Sequence, residues 1–368
     1  MNNIQSPATR LTSLDAMRGF TIAAMILVNY PGSWEHIYRP LEHAEWHGLT
    51  PTDLIFPFFL FIVGVSIALS YTKLLEKGSP KQALYKKIVF RALKIFAVGI
   101  FLSLIPNFEF MNIRFAGVLQ RISIVFLVCS FVFLNTSFKT QVWLGAITLV
   151  VYWLVMTLIP TPGVGEVSLE KGVNLAAWVD SMLLPGRMWQ GTWDPEGILS
   201  TFPSIVTGIT GLLAGHLLLS KRTPHEKSIL LMVFGFAAVA AGYIWGLTFP
   251  VNKNLWSSSF VLVTSGLGSL LLGTLYYIVD IRNYTGGTKP GIIFGANAIA
   301  IYFLSDVISI IFYSLPFGSA SLNVHFMTTV TAMGLAPKFV SMLYAVIFVS
   351  INFCIAYVLY RKKIFIKL

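Results

Sequence analysis

The chain has 368 residues, of which 56% are hydrophobic and only 11% charged, with a formal net charge of +11. Soluble domains carry about a quarter charged residues, so this deficit excludes an ordinary soluble fold. The expected class is all-α: a polytopic membrane helix bundle of about ten transmembrane helices, forming a single integral-membrane unit over 1–368. The positive balance is spread over short loops, which points to cytoplasmic loops and away from nucleic acid. Cys129 and Cys354 both sit in apolar runs, with neither a disulfide framework nor metal-ligand spacing, so no metal is expected.

In chain order, runs apolar enough to span a bilayer cover 16–34, 52–71, 88–106, 117–134, 140–159, 201–219, 228–248, 257–279, 291–313 and 337–360. Asn29 interrupts the outer end of the first. The first fourteen residues are polar, and no small-residue cleavage site follows that first run, so an uncleaved first span is expected. The run 320–335 is too polar to count and reads as a re-entrant or surface helix.

Ten spans put the basic segments on one side: Arg10 and Arg18; Lys73, Lys77, Lys81, Lys86, Lys87 and Arg91; Lys221, Arg222 and Lys227; and Arg361, Lys362, Lys363 and Lys367. By the positive-inside rule that side is the cytoplasm, with both termini there, and the expected location is the plasma (inner) membrane. The opposite loops, Pro31–Pro51, Asn107–Ala116, Pro160–Ser200, Pro250–Trp256 and Ser314–Ala336, are poor in Lys and Arg. Within the longest, Trp178, Trp189 and Trp193 among Pro and Gly suit either an ordered lid or aromatic anchoring at the interface.

Three outer stretches carry polar residues against spans. The first holds His36, His43, Trp46, His47 and Asp53, and Thr50-Pro51-Thr52-Asp53 reads as a helix start: Thr50 at the N-cap, Pro51 at the first helical position, Asp53 reaching back. The second holds Trp193, Asp194, Pro195 and Glu196, with Asp194 able to cap and Pro195 at the first helical position. The third holds Asn252, Asn254, Trp256 and Ser257. Histidine, carboxylate, amide and indole at one level suit acid–base work on a sugar, whose ring faces stack on aromatics. Each residue also has a plainer reading. Capping alone accounts for Asp53 and Asp194, a wet loop for His36 and His47, and interface anchoring for Trp46, Trp193 and Trp256. His43 has no capping role.

Inside the bilayer, Asn29, Gln120 and Arg121 are the costly residues, with Asn297 and Asp306 as similar cases. Arg121, about one turn inside the fourth span, is a site candidate or a bundle-holding partner of Asp53 or Glu196. Gly211, Gly215, Gly268 and Gly273 mark close helix packing. On the cytoplasmic side Asp15 and Arg18 are spaced as a local pair. Arg18, Arg91 and Lys94 could seat a phosphorylated donor, or serve as topology determinants and contacts to anionic membrane lipid.

The chain resembles the transmembrane acetyltransferase family typified by lysosomal heparan-α-glucosaminide N-acetyltransferase. The resemblance is carried by Leu14-Asp15-x-x-Arg18-Gly19, Asn29-Tyr30, His43-Ala44-x-Trp46-x-Gly48-Leu49-Thr50-x-x-Asp53-Leu54-x-Phe56-Pro57, Gly117-Val118-Leu119-Gln120-Arg121, Asp194-Pro195-Glu196-Gly197-Ile198-Leu199 and Val251-Asn252-Lys253-Asn254-Leu255-Trp256-Ser257. It implies acetyl transfer from cytoplasmic acetyl-CoA to the amine of a glucosamine-type sugar or glucosaminide across the membrane, with His43 as the active residue and Asn29 as the asparagine of the family's N-Y-x-G motif. Relative to the lysosomal enzyme, the chain is expected to lack the luminal domain and leading span, leaving a free sugar or short oligosaccharide as acceptor and a homodimer as one possible assembly. The amine must be deprotonated to attack, and histidine is the side chain suited to that base role. His43 could instead accept the acetyl group itself. Asn29 or Arg121 could stabilise the oxyanion, and Asp53 or Glu196 could orient the imidazole. The rival class is a sugar permease or lipid-linked-sugar carrier, which intramembrane Asn, Arg and Asp would also suit.

Overall fold

The computed structural model describes residues 11–366; Arg10 and Lys367, counted above among the basic flanks, lie outside the described residues. The described chain is all-α apart from a two-residue hairpin, β1 (Pro316–Phe317) against β2 (Ala320–Ser321). Thirteen helices follow one another: α1 (Thr12–Asn29), α2 (Ile55–Glu76), α3 (Lys81–Leu104), α4 (Val118–Asn135), α5 (Phe138–Leu158), α6 (Leu175–Leu183), α7 (Ile198–Leu219), α8 (Pro224–Trp245), α9 (Ser258–Leu275), α10 (Lys289–Ala296), α11 (Ala298–Ser309), α12 (Leu322–Ala332) and α13 (Pro337–Arg361).

Every expected span falls on a helix, but the count by length and composition is seven, or eight if α10 and α11 are one bent span. The difference from ten is α1 and α3. Asp15 and Arg18 sit within α1, and Lys86, Lys87, Arg91 and Lys94 within α3, which lowers their apolar content below that of their neighbours. The first span is also displaced from expectation: α1 stops at Asn29, the residue that interrupts the apolar run. The ninth is not continuous. It breaks at Asn297 with a bend of 81°. At the break the Asn297 amide donates to Ile364 O at 2.9 Å, and its oxygen accepts the Ile366 N–H at 2.8 Å, so the tail beyond α13 partners the break. The polar run near 320–335 forms the short α12, as its composition implied.

Small residues bring helices to backbone contact. A Cβ on Gly64 of α2 would collide with the Gly208 carbonyl of α7, and one on Gly211 with the Phe61 carbonyl. Gly215 packs against Ala68 and Gly273 against Leu231 and Ser228, as expected for close crossings, whereas Gly268 makes only ordinary contact with Phe61. The N-terminus of α1 has Leu11 at its cap and no capping side chain. The Asp280 carboxylate, just past α9, accepts the Thr12 and Ser13 N–H groups at 3.1 Å each, placing negative charge on the positive end of the helix. Across from it, α2 runs 22 residues away from the Thr50–Asp53 start, about 33 Å of axis. The basic turn after α2 is therefore at the opposite end of the bundle from His43.

Candidate active site

The Thr50–Asp53 start folds as its sequence dictates. Pro51–Leu54 is a single 3-10 turn leading into α2, and the Asp53 carboxylate accepts the Thr50 N–H at 3.1 Å and its hydroxyl at 3.0 Å. It also accepts the Ala44 N–H at 3.1 Å. The capping reading of Asp53 is therefore correct, and it is only part of what Asp53 does. Its other oxygen is 2.7 Å from His43 Nδ1. A carboxylate can only accept, so Nδ1 carries the hydrogen, and in the neutral ring Nε2 holds the lone pair. The pair is asymmetric: the Asp53 side chain is 1% exposed and the His43 side chain 51%. A buried carboxylate presents a half-exposed imidazole with a fixed tautomer.

The three outer stretches meet. Gly48, at φ +116°, turns the first stretch so that its N–H donates to Val251 O at 2.8 Å. Asn252 Nδ2 donates to His47 Nδ1 at 3.2 Å, while Asn252 Oδ1 accepts the Leu255 N–H at 2.9 Å. Trp46 packs edge-on against Trp193 with centroids 5.5 Å apart, and its indole N–H donates to Leu169 O at 2.9 Å. The loop 160–200 is thus ordered against the first stretch, with α6 inside it. Asn254 lies half-buried in the same turn as Lys253.

Two basic residues that the sequence reading left unassigned occupy the centre. Lys253 Nζ is 3.0 Å from His43 Nδ1, 3.3 Å from Nε2 and 3.6 Å from Asp53 Oδ1. Its ammonium loses proton affinity through burial, against the opposing pull of Asp53 and Glu196, although a fifth of the side chain stays accessible. Arg114 binds both oxygens of Asp194, at 2.7 and 2.6 Å, and Glu196 at 2.6 Å, with the Trp189 ring 5.0 Å from its guanidinium. Its loop is held by an isolated bridge to Gly186. A sole basic residue in an outer loop otherwise lacking Lys and Arg was the sequence signal for Arg114.

Several expectations are corrected. Asp194 does not cap α7, and Pro195 is not in its first turn, because α7 starts at Ile198 with Gly197 at the cap. Asp194 is instead committed to Arg114 and to the Trp189 and Glu196 N–H groups. Asp180 of α6 does the capping, accepting the Ile198 N–H at 2.9 Å, and burial pushes its carboxyl up to about 6 despite two backbone N–H partners. Arg121 forms no ion pair with Asp53 or Glu196 among the described residues. It donates to Gly197 O and Ser200 Oγ, lies 5.1 Å from the Trp256 ring and is 1% exposed. Trp256 is equally buried and donates to Thr207 Oγ1, and Ser257 caps α9 from full burial. Arg121, Trp256 and Ser257 are thus all enclosed within the bundle. Asn29 ends α1 and makes no hydrogen bond to His43, Asp53 or Lys253 among the described residues.

Of the residues expected to seat a phosphorylated donor, Arg18 binds Asp15 at 3.0 Å and Ser66 Oγ at 2.8 Å. The Arg91 guanidinium lies over Phe126 at 4.9 Å, and Lys94 over Phe90 at 4.7 Å. Arg91 and Lys94 lie in the middle of α3, and Ser66 lies midway along α2.

Fold and site together define a polytopic membrane protein with an imidazole–carboxylate–ammonium centre at one end of its helix bundle. Residues 10–241 match the family described as "Heparan-alpha-glucosaminide N-acetyltransferase, catalytic", and the chain belongs to that family. It is 31% identical to the heparan-alpha-glucosaminide N-acetyltransferase of Homo sapiens, over 98% of this chain and 60% of that one. It is 29% identical to the protein of the same name in Mus musculus, over 99% of this chain and 61% of the relative. The chain thus spans about three fifths of the length of these relatives.

Proposed function

We propose that this protein is a transmembrane N-acetyltransferase that moves the acetyl group of cytoplasmic acetyl-CoA to the amine of a glucosamine-type sugar on the outer side. The observation that carries the reading is the half-exposed His43, held by the buried Asp53 at 2.7 Å, in a chain of this family. His43 takes the amine proton or receives the acetyl group. Asp53 fixes its tautomer, and Asn29, at the end of α1, is proposed as an oxyanion donor. Trp46, His47 and Asn254 are proposed to line the sugar subsite, with Asp194, Glu196, Arg121, Trp256 and Ser257 shaping it. Arg18, Arg91 and Lys94 are proposed to seat the CoA phosphates, and the chain to act as one unit within the membrane lipid, with homodimer formation compatible. The test is thiol release by purified protein given acetyl-CoA. Glucosamine should raise it well above background, and no response to any amino sugar would overturn the enzymatic reading.

Orientation belongs to the same proposal, with the plasma membrane as location and both termini cytoplasmic. A cysteine in place of Glu45 should react with an impermeant thiol reagent from outside intact cells, and one in place of Lys81 should not. Labelling of the Lys81 variant alone would invert the topology and move the amine acceptor to the cytoplasm.

The break at Asn297 favours a second reading, because discontinuous helices mark substrate sites in carriers. A sugar permease or lipid-linked-sugar carrier would load labelled glucosamine into proteoliposomes without acetyl-CoA. A strict requirement for acetyl-CoA would exclude it.

A further inference from the structure

Acyl transfer to an amine builds negative charge on the carbonyl oxygen of the thioester, and a donor must stand where that charge appears. Arg121 cannot reach an incoming carbonyl in this geometry. Its Nε and Nη1 have no partner among the described residues, but the side chain is 1% exposed, with Trp256 on one face and Gly197 and Ser200 at its tip. Lys253 is the cation that does stand at the reacting position. Its near-equal distances to the two ring nitrogens of His43, 3.0 and 3.3 Å, place Nζ over the imidazole ring and beside Nε2.

The loop that carries it is fixed in advance. Asn252 N–H donates to Ser257 Oγ at 3.1 Å, Ser257 Oγ donates to Pro250 O at 2.8 Å, and Gly48 donates to Val251 O. Trp256 closes the turn at φ +49°, a left-handed conformation that its buried ring and indole hydrogen bond hold in place. The charged and titratable groups around Nζ come from two segments, His43 and Asp53 from the first stretch and Glu196 from the segment before α7, while His47 of the first stretch bonds the neighbouring Asn252. Glu196 is shared with Arg114. A cation in so preorganised a position needs no reorganisation when charge develops.

We propose that Lys253 is a further catalytic residue, the ammonium that stabilises the oxyanion formed as the acetyl thioester is attacked beside His43. This rests on the N-acetyltransferase reading. In the step, the amine nitrogen bonds to the acetyl carbon and its proton passes to His43 Nε2. The carbonyl π pair moves onto oxygen, giving an alkoxide ion-paired with Lys253. Collapse re-forms the C=O bond and breaks C–S, and the thiolate leaves with the proton held by His43, giving the N-acetyl sugar and free CoA.

The test uses Lys253→Met and Lys253→Arg in the full-length protein, with His43→Ala alongside, all checked for thermal unfolding. Lys253→Met should lower kcat about 100-fold or more and leave both KM values within about threefold. Lys253→Arg, which keeps the charge, should retain most of kcat. The lowered proton affinity of Lys253 means that the wild type loses the cation, and with it kcat, at a pH below the ordinary lysine range, so kcat should fall on the alkaline side. That fall should be absent in Lys253→Arg, whose guanidinium does not deprotonate, and a merely structural lysine would not produce this difference. Near-normal kcat in Lys253→Met would overturn the proposal while His43→Ala loss leaves the transferase reading standing. The same alkaline fall in wild type and Lys253→Arg would also overturn it. A wild type inert to amino sugars overturns both.

Discussion

His43→Ala is expected to abolish sugar-dependent thiol release, by about 1,000-fold or more, with the protein still folded. Half of the imidazole is exposed, so its removal costs little core packing, and Asp53 keeps its Ala44 and Thr50 donors, so the variant should still fold with only a modest loss of thermal stability. The variant also separates two chemistries. If His43 is a base, incubation with labelled acetyl-CoA alone leaves no label on any protein. If it is the acetyl acceptor, label stays on the wild type and is absent from His43→Ala. Near-normal turnover by the folded variant would sink both, and would direct attention to His47, which Asn252 holds 3.2 Å away from its own amide.

Asp53→Asn should fail differently, in activity and in stability together. The Asp53 carboxylate accepts from His43, from the Ala44 and Thr50 N–H groups and from the Thr50 hydroxyl, and has Lys253 at 3.6 Å. An amide of the same shape brings an NH2 group against those donors, and each buried donor left unmatched costs about 1–3 kcal/mol. The tautomer of His43 loses its determinant, so kcat should drop about 100-fold. Unfolding in detergent should move to lower temperature, further than in His43→Ala. A variant with normal turnover would show that the imidazole is oriented by another group.

What could be read in advance was local. Thr50-Pro51-Thr52-Asp53 announces a helix start because cap, proline and carboxylate act on neighbours within one turn. The apolar runs announce the spans for the same reason, since length and composition decide them. The meeting of the 43–53, 193–201 and 252–260 stretches was legible only through topology, which put all three on one side. Partner choice across the fold was not legible. Arg121 and Arg114 both offer a guanidinium to Asp194 and Glu196, and the loop position of Arg114 decides the pairing. Asp194 looked like a cap because Pro195 follows it, yet Asp180, from a short helix 18 residues before Ile198, holds that helix end. Lys253 was visible as a letter in a motif, and only the contact with His43 gives it meaning.

The neighbours of α1 have a bearing on how the chain is made. Gly19 meets Gly291 and Gly295 packs onto Asp15, the Thr12 and Ser13 amides wait for Asp280, Tyr30 bonds Asp306, and Gly32 donates to Ser341. This helix thus finds many of its contacts in segments of the chain that are made much later. His43, Asp53, Glu196 and Lys253 are all synthesised before those contacts exist. During translation the early helix, with Asp15 and Arg18 in its length, must be held in lipid or by an insertion factor while more than 250 residues are still to come. A premature stop after α9 would leave a product with every one of those four site residues but no closed bundle around its first helix.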